Sequence, residues 1–272
     1  MRTAIVTGGA SGIGRAVCRE LGGRGVHVVV ADLDGAGAER VAGEIGGSGV
    51  RLDVTDARAV EDLVTGVRDD RGRLDFVFNN AGIAVGGTAE ELTLDHWNRT
   101  IDVNLRGVVH GVHAAYPVMI RQGFGHIVNT ASLAGLVPTP MMAPYAATKH
   151  AVVGLSLALR TEAAAHGVKV SVVCPGFVDT PLLDHVNPGL PRTRTGTSAR
   201  RSAIRAQGRL YSADALAGDI MRGLARDRAL IVVPASGRLA WLGARLSPSL
   251  AVRVASLAVR RLGRDRRSGD SS

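Results

Sequence analysis

The stretch "TAIVTGGASGIG", residues 3–14, decides the fold of this 272-residue chain. Its apolar run at 3–7 predicts a buried strand, and the pattern that starts near residue 12 predicts a helix directly after it. Gly8 follows the strand and Gly12 and Gly14 open the helix, at a spacing that differs from G-x-G-x-x-G. A strand, a glycine turn and a helix in this order can offer backbone N–H groups to a pyrophosphate. A simple turn is the alternative for the glycines taken alone.

The same alternation of strand and helix continues along the chain. Most of the strand-like runs are almost continuously apolar, which is typical of strands buried on both faces of a parallel sheet. We therefore expect an α/β fold with a doubly wound parallel sheet of about seven strands, a Rossmann fold, in a single domain over 1–234. The predicted strands are 3–7, 26–31, 50–54, 74–80, 125–131, 168–174 and 229–234, and the predicted helices are 12–24, 36–46, 56–71, 95–121, 145–166 and 212–226.

The composition fits a soluble globular protein, with 46% apolar and 21% charged residues. Cys18 and Cys174 lie in apolar-periodic stretches and are expected to be buried thiols in a reducing compartment. The chain starts without an apolar signal core, and no run of about 18 apolar residues could span a bilayer. These features predict a cytoplasmic protein. The eight histidines are scattered without ligand spacing, so no metal site is predicted.

An acidic residue closes the second predicted strand. Asp32 lies 18 residues beyond Gly14, where a carboxylate can accept hydrogen bonds from ribose hydroxyls. It would also repel a 2′-phosphate, so NAD is expected as the cofactor in preference to NADP. A helix cap is the alternative role for Asp32.

The segment "YAATK" (145–149) contains one of only two lysines in a chain with 31 arginines. A spacing of four places Tyr145 and Lys149 on one face of a helix. A neighbouring ammonium lowers the pKa of a phenol, and such a tyrosine can exchange a proton with an alcohol or carbonyl. Taken alone, the pair could also be an exposed helix pair without function.

Together these segments resemble the short-chain dehydrogenase/reductase family, from residue 2 to about 234. They occur in family order and at family spacing. The matching elements are "TGGASGIG" (7–14), Asp32, "DV" (53–54), "NNAG" (79–82), "DVN" (102–104), Ser132, "YAATK" (145–149) and "PGFVDT" (175–180).

The resemblance implies a catalytic set and a dinucleotide site. Tyr145 would be the acid/base, Lys149 would lower its pKa and hold the nicotinamide ribose, and Ser132 would bond the substrate oxygen. Asn104 would anchor a water between Lys149 and solvent. The implied cofactor-binding residues are Gly8, Ser11, Gly12, Ile13 and Gly14 at the glycine turn, Asp32, Asp53 and Val54 at the adenosine, Asn80, Ala81 and Gly82 beside its ribose, Tyr145 and Lys149, and Pro175, Gly176, Val178 and Thr180 at the nicotinamide end.

The implied function is an NAD(P)-dependent oxidoreductase that interconverts a secondary alcohol and a ketone. The 182–212 segment would cover the substrate, and its Leu182, Leu183, Val186 and Leu190 favour a lipophilic one. A non-catalytic dinucleotide-binding sensor or scaffold is the alternative. The family also implies a homodimer or homotetramer.

The last third of the chain is strongly basic. Residues 1–190 hold 16 basic and 19 acidic residues, whereas 191–272 hold 17 arginines and five acidic residues. Arginines alternate with apolar residues over 235–272, and "SPSL" (247–250) predicts a break between two short amphipathic helices. This extension could lie on an anionic membrane, cover the substrate entrance or pack on a neighbouring subunit. It has no nucleic-acid reading motif, so no nucleic-acid partner is predicted.

Overall fold

A seven-stranded parallel sheet forms the centre of the protein. The computed structural model describes residues 1–193 and 199–269, with side chains up to residue 260. The sheet order is β3-β2-β1-β4-β5-β6-β7, and every neighbouring pair is parallel. The predicted doubly wound sheet is therefore confirmed. The strands are β1 (Thr3–Thr7), β2 (His27–Asp32), β3 (Ser48–Arg51), β4 (Phe76–Asn79), β5 (Gly125–Thr130), β6 (Val168–Pro175) and β7 (Leu230–Val233).

Helices cover both faces of the sheet. The predicted long helix over 95–121 is divided, because a π-helical turn at Asp102–Arg106 lies between α4 and α5. The helices are α1 (Gly12–Gly22), α2 (Gly35–Ile45), α3 (Ala57–Arg71), α4 (Leu94–Ile101), α5 (Gly107–Gln122), α6 (Ala143–Ala163), α7 (Ala199–Gln207), α8 (Ala213–Ala225), α9 (Ala235–Leu246) and α10 (Pro248–Gly269).

Two apolar layers hold the helices to the sheet. On one face, α1, α2 and α8 pack on strand side chains such as Val28 and Phe78. On the other face, α3, α5 and α6 pack on side chains such as Ile5 and Ile127. Cys18 and Cys174 are buried one in each layer, as predicted, and burial raises the pKa of each thiol to about 12.

The strand order reverses between β1 and β4, and this reversal opens a crevice at the carboxyl ends of the strands. Thr7, Asp32, Asn79, Thr130 and Pro175 are the last residues of five neighbouring strands. The segments that follow them therefore meet at one edge of the sheet.

Two helices follow β7. The first ends directly before the segment "SPSL" and the second begins within it, as predicted. Among the described residues, no helix is both long and apolar enough to cross a membrane. Residues 194–198 of the predicted 182–212 segment and residues 270–272 of the extension lie outside the described part of the chain.

Candidate active site

A cavity of about 680 Å³ opens at the carboxyl edge of the sheet. It brings together all but two of the site residues predicted from the sequence; Gly14 and Asn104 lie behind its wall. The predicted residues that line it are Gly8, Ser11, Gly12, Ile13, Asp32, Asp53, Val54, Asn80, Ala81, Gly82, Ser132, Tyr145, Lys149, Pro175, Gly176, Val178 and Thr180.

The glycine turn forms one end of the cavity. Gly8 and Gly12 have φ values of 66° and 51°, which favour glycine. A Cβ at Gly14 would lie 2.0 Å from the carbonyl oxygen of Gly8, so this close packing of turn and helix also requires glycine.

The N-terminus of α1 faces this end of the cavity, and the N–H groups of Gly12 and Ile13 have no acceptor among the residues that the structure describes. The Arg15 N–H donates to the Ser11 carbonyl (3.0 Å), so the N–H groups before it need partners outside the helix. The Ser11 side chain makes no capping bond, although Asp34 and Asp56 cap α2 and α3. The turn therefore fits a pyrophosphate, because it offers free donors at a positive helix end.

Asp32 lines the cavity one strand away. Its carboxylate accepts hydrogen bonds from the Ala10 N–H and the Asp34 N–H, both at 3.0 Å. These bonds hold the carboxylate at the end of β2. The cap of α2 is Asp34, which accepts from the Gly37 N–H, so the alternative role of Asp32 as a helix cap is wrong.

The middle wall is built by hydrogen bonds between strand ends. The Asn80 side chain donates to the Thr7 carbonyl (3.0 Å) and accepts from the Thr130 hydroxyl (3.2 Å). Asp53 accepts from the backbone and hydroxyl of Thr55, and the backbone bond lowers the pKa of its carboxyl. The two bonds of Asn80 fix the carboxyl ends of β1, β4 and β5 relative to one another.

Tyr145, Lys149 and Ser132 converge at the other end of the cavity. Lys149 is only 3% exposed and donates from Nζ to the Thr130 carbonyl oxygen (2.9 Å). Nζ lies 5.6 Å from the centroid of the Tyr145 ring, so both side chains share one face of α6, as predicted. The Ser132 hydroxyl accepts from the Ala134 N–H (3.1 Å).

Burial controls the protonation of this corner. It raises the pKa of Tyr145, which a hydrogen bond from Ser132 only partly offsets. It also lowers the pKa of Lys149 to about 8. The predicted lowering of the Tyr145 pKa by Lys149 is not found here, since burial sets the direction of the shift and the Lys149 charge is not among its causes.

Asn104 is fully buried in the π-helical turn. Its amide donates to the Ile83 carbonyl (3.0 Å), and its Oδ1 accepts from the Ile83 N–H (2.8 Å). A Cβ at Gly82 would lie 3.1 Å from Asn104 Oδ1 and 3.6 Å from Lys149 Nζ. Asn104 therefore positions the wall beside Lys149, and its role in holding a water stays a prediction.

The segment after β6 closes the cavity on the far side. Leu182 and Leu183 line it as expected, whereas Val186 forms a bridge with Ala84 and Leu190 is not part of the lining. Gln207 at the end of α7 fixes this segment, since it exchanges two 2.8 Å hydrogen bonds with the backbone of Phe177.

Several lining residues were not found from the sequence. They are mostly apolar, and their chain positions are scattered, so no local pattern marks them. Arg99 lies in the last turn of α4 and lines the cavity, and its charge helps to lower the pKa of Asp53. The others include Leu33, Ile83, Leu133, Val137, Pro138, Phe177, His185 and Pro188.

Comparison with known proteins places this architecture. The family described as "short chain dehydrogenase" matches residues 2–190. D-beta-hydroxybutyrate dehydrogenase of Rhizobium meliloti is 38% identical over 205 residues, which cover 71% of this chain and 78% of that protein. Cyclohexanol dehydrogenase of an Acinetobacter species is 38% identical over 188 residues, which cover 67% of this chain and 75% of that protein.

A solved structure agrees with the sequence relatives. The short-chain dehydrogenase/reductase of Burkholderia phymatum, in complex with NAD, superposes with a TM-score of 0.80 at 34% identity and covers 90% of this chain and 94% of its own. The chain therefore belongs to the short-chain dehydrogenase/reductase family, the NAD(P)-dependent oxidoreductases that act on CH–OH groups and interconvert alcohols and carbonyl compounds.

Proposed function

We propose that this protein oxidises a lipophilic secondary alcohol, or reduces the matching ketone, with NAD as its preferred cofactor and Tyr145 as the acid/base. One observation carries the proposal. A single cavity has open backbone donors and Asp32 at one end, and the hydroxyls of Ser132 and Tyr145 beside a buried Lys149 at the other. Phosphate and ribose partners at one end and proton-transferring groups at the other suit a dinucleotide whose nicotinamide lies beside Tyr145.

The residues of the cavity fit NAD in three places. The N–H groups at the start of α1 would bind the pyrophosphate, Asp32 would accept from the adenosine ribose, and Lys149 would donate to the nicotinamide ribose. Bound nicotinamide supplies or accepts the hydride. The protein itself contributes orientation and the proton.

Tyr145 would hold that proton on its phenolic oxygen. Its raised pKa keeps it protonated at neutral pH, so it can donate to a carbonyl oxygen during reduction. In the oxidation direction the Tyr145 phenol must first release its proton, so that the phenolate oxygen can accept the proton of the alcohol. The Ser132 hydroxyl, fixed by the Ala134 N–H, would orient the substrate oxygen toward Tyr145.

The preference for NAD over NADP rests on charge. A 2′-phosphate at the adenosine ribose would meet the Asp32 carboxylate, which its two backbone bonds hold in place. Arg15, the arginine nearest to the turn in the sequence, forms an ion pair with Glu44 (2.7 Å). It is therefore engaged elsewhere and would have to leave that pair to compensate for the phosphate.

The preference for a lipophilic substrate rests on the lining. Leu133, Val137, Met142, Leu182 and Leu183 surround the Tyr145 end of the cavity with apolar surface. The names of the relatives, a D-beta-hydroxybutyrate dehydrogenase and a cyclohexanol dehydrogenase, support an alcohol as the substrate.

A titration with NADH and NADPH, followed by a screen of secondary alcohols with NAD, tests the proposal. We expect NADH to bind more tightly than NADPH, and the Asp32→Asn variant to have a smaller difference in affinity between the two. We expect turnover with NAD to rise with the apolar surface of the alcohol. Preference for NADPH would contradict the role of Asp32. Dinucleotide binding without turnover of any alcohol or ketone would favour a sensor or scaffold. Light scattering would test the predicted homodimer or homotetramer.

A further inference from the structure

The two C-terminal helices display a row of apolar side chains to solvent. In α9 these side chains are spaced i, i+3 and i+7, and in α10 they are spaced i, i+4 and i+7, so each set lies along one helix face. We call this row the apolar stripe. It consists of Leu239, Leu242 and Leu246, exposed by 71%, 42% and 87%, and of Leu250, Val254 and Leu257, exposed by 58%, 59% and 55%.

The stripe lies away from the faces that hold the helices to the protein. Gly237 packs α9 against Leu133, since a Cβ there would lie 3.3 Å from the Leu133 side chain. In α10 the partly buried residues are Ala251, Ala255 and Val259, four apart and on a different face from the stripe. Two of the inward residues of α10, Ala251 and Ala255, are small, whereas the large apolar residues of the stripe point outward.

Arginines accompany the stripe in both helices. Arg238 and Arg245 are seven residues apart in α9, and Arg253 and Arg260 are seven apart in α10. At about 100° per residue, each pair projects from one edge of its stripe segment. The Arg245 guanidinium lies 6.0 Å from the Trp241 ring centroid. The sequence from 228 to 264 contains no Asp or Glu, so this surface is uniformly positive.

We propose that the apolar stripe binds an anionic lipid surface, with its leucines in the interface and its arginines on the lipid headgroups. A basic helix with one large apolar face lies in the plane of a membrane, and arginine side chains reach from its edge to the headgroups. Each arginine near an anionic bilayer adds attraction that acts within a Debye length.

Charge argues against a second copy of the chain as the occupant. In a two-fold symmetric contact the same patch meets itself. Such a contact over the stripe would bring the same four arginines of each copy together, and neither copy has an Asp or Glu between residues 228 and 264 to pair with them. An anionic bilayer supplies both the apolar interior and the opposite charge. This proposal is independent of the cofactor and substrate proposed above.

Vesicle flotation of the full chain tests the proposal. We expect binding to phosphatidylcholine vesicles with about 30% phosphatidylglycerol to exceed binding to pure phosphatidylcholine by about tenfold or more, and to fall at high salt. Two variants divide the contributions, and each should lose about tenfold in binding to the anionic vesicles. They are Leu239→Ser/Leu246→Ser/Leu250→Ser/Leu257→Ser and Arg238→Gln/Arg245→Gln/Arg253→Gln/Arg260→Gln.

A matched control removes the same charge elsewhere. Arg2→Gln/Arg58→Gln/Arg121→Gln/Arg226→Gln changes four exposed arginines outside the extension and should retain binding within about threefold. Circular dichroism shows whether each variant is folded. Equal binding to neutral and anionic vesicles, or equal losses in both arginine variants, would overturn the proposal. A smaller mass of the serine variant in light scattering would also overturn it, because a second copy would then cover the stripe.

Discussion

Lys149 is an ammonium group with almost no solvent around it. Burial lowers its pKa from 10.5 to about 8, so the unfolded chain binds this proton more tightly than the folded chain. The free energy of unfolding should therefore rise as the pH increases from about 8 to about 10.5, as far as this group contributes. We expect the wild type to gain on the order of 2–3 kcal/mol relative to Lys149→Met over this range. Urea denaturation across pH measures the difference.

The comparison with the variant is essential because other groups titrate nearby. Cys18 and Cys174 have raised pKa values. Their contribution to the free energy of unfolding therefore decreases as the pH rises above the pKa of a free thiol. Both cysteines are present in the wild type and in Lys149→Met, so the effect of Cys18 cancels in the comparison. The effect of Cys174 cancels only in part, because the charge of Lys149 lowers the pKa of this thiol. Parallel stability curves for the two proteins would show that Lys149 titrates normally.

Tyr145 can be tested without changing its shape. Tyr145→Phe removes only the hydroxyl, so we expect kcat to fall by about 10²–10⁴-fold while the dinucleotide still binds. Steady-state kinetics and NADH titration separate these effects. Tyr116→Phe is the matched control, since Tyr116 makes an edge contact with His166 and does not line the cavity. A comparable loss in both variants would remove Tyr145 from its proposed role.

At the scale of elements, the junction of β1 and α1 depends on one missing side chain. In Gly14→Ala the new Cβ would lie 2.0 Å from the Gly8 carbonyl oxygen and 2.7 Å from Asn80 Nδ2. We expect a loss of about 1–3 kcal/mol in the free energy of unfolding, since backbone must move, together with weaker dinucleotide binding. Denaturant unfolding and NADH titration measure both effects.

Gly43→Ala provides the control for this change. Gly43 lies inside α2, and a Cβ there would have no atom within 4 Å. We expect alanine to stabilise the protein by about 0.5–1 kcal/mol because it loses less backbone entropy in a helix. If both alanine variants behaved alike, the close approach at Gly14 would not limit stability.

The sequence predicts elements well where burial is continuous. β1 is found at the predicted residues because its apolar run is uninterrupted. β3 is found at Ser48–Arg51 instead of 50–54, since its position depends on pairing with β2 and not on its own apolar content. The π-helical turn at Asp102–Arg106 has no hydrophobic period that distinguishes it from an α-helix. The sequence therefore predicts one continuous helix across it.

For the whole molecule, a site residue can be predicted from the sequence when it lies in a local motif. It is missed when it reaches the site only through contacts between distant parts of the chain. Motifs in family order located residues such as Asp32 and Tyr145, and these line one cavity. Arg99, His185 and Gln207 were missed because they reach the site only when distant loops and helices come together. The direction of the Tyr145 pKa was also missed, since it depends on burial that no local spacing reveals.

Nested truncations test how the C-terminal helices depend on the sheet. α10 contacts α9 and leaves Leu250, Val254 and Leu257 exposed. Ending the chain at Ser247 should therefore change Tm by less than about 3 °C and leave dinucleotide binding intact. Ending it at Pro234 also removes α9, whose Gly237 packs on the cavity residue Leu133, and should lower Tm by about 4–8 °C.

We expect the truncation at Pro234 to lower Tm more than the truncation at Ser247. Thermal unfolding of the two truncated proteins and of the full chain measures this difference in Tm. Substrate turnover shows whether the part of the cavity wall formed by Leu133 is intact. A loss of turnover only when α9 is removed would mean that α9 supports the cavity while α10 extends beyond it. A large fall in Tm on removing α10 alone would mean that α10 stabilises the sheet domain through contacts its exposed stripe does not suggest.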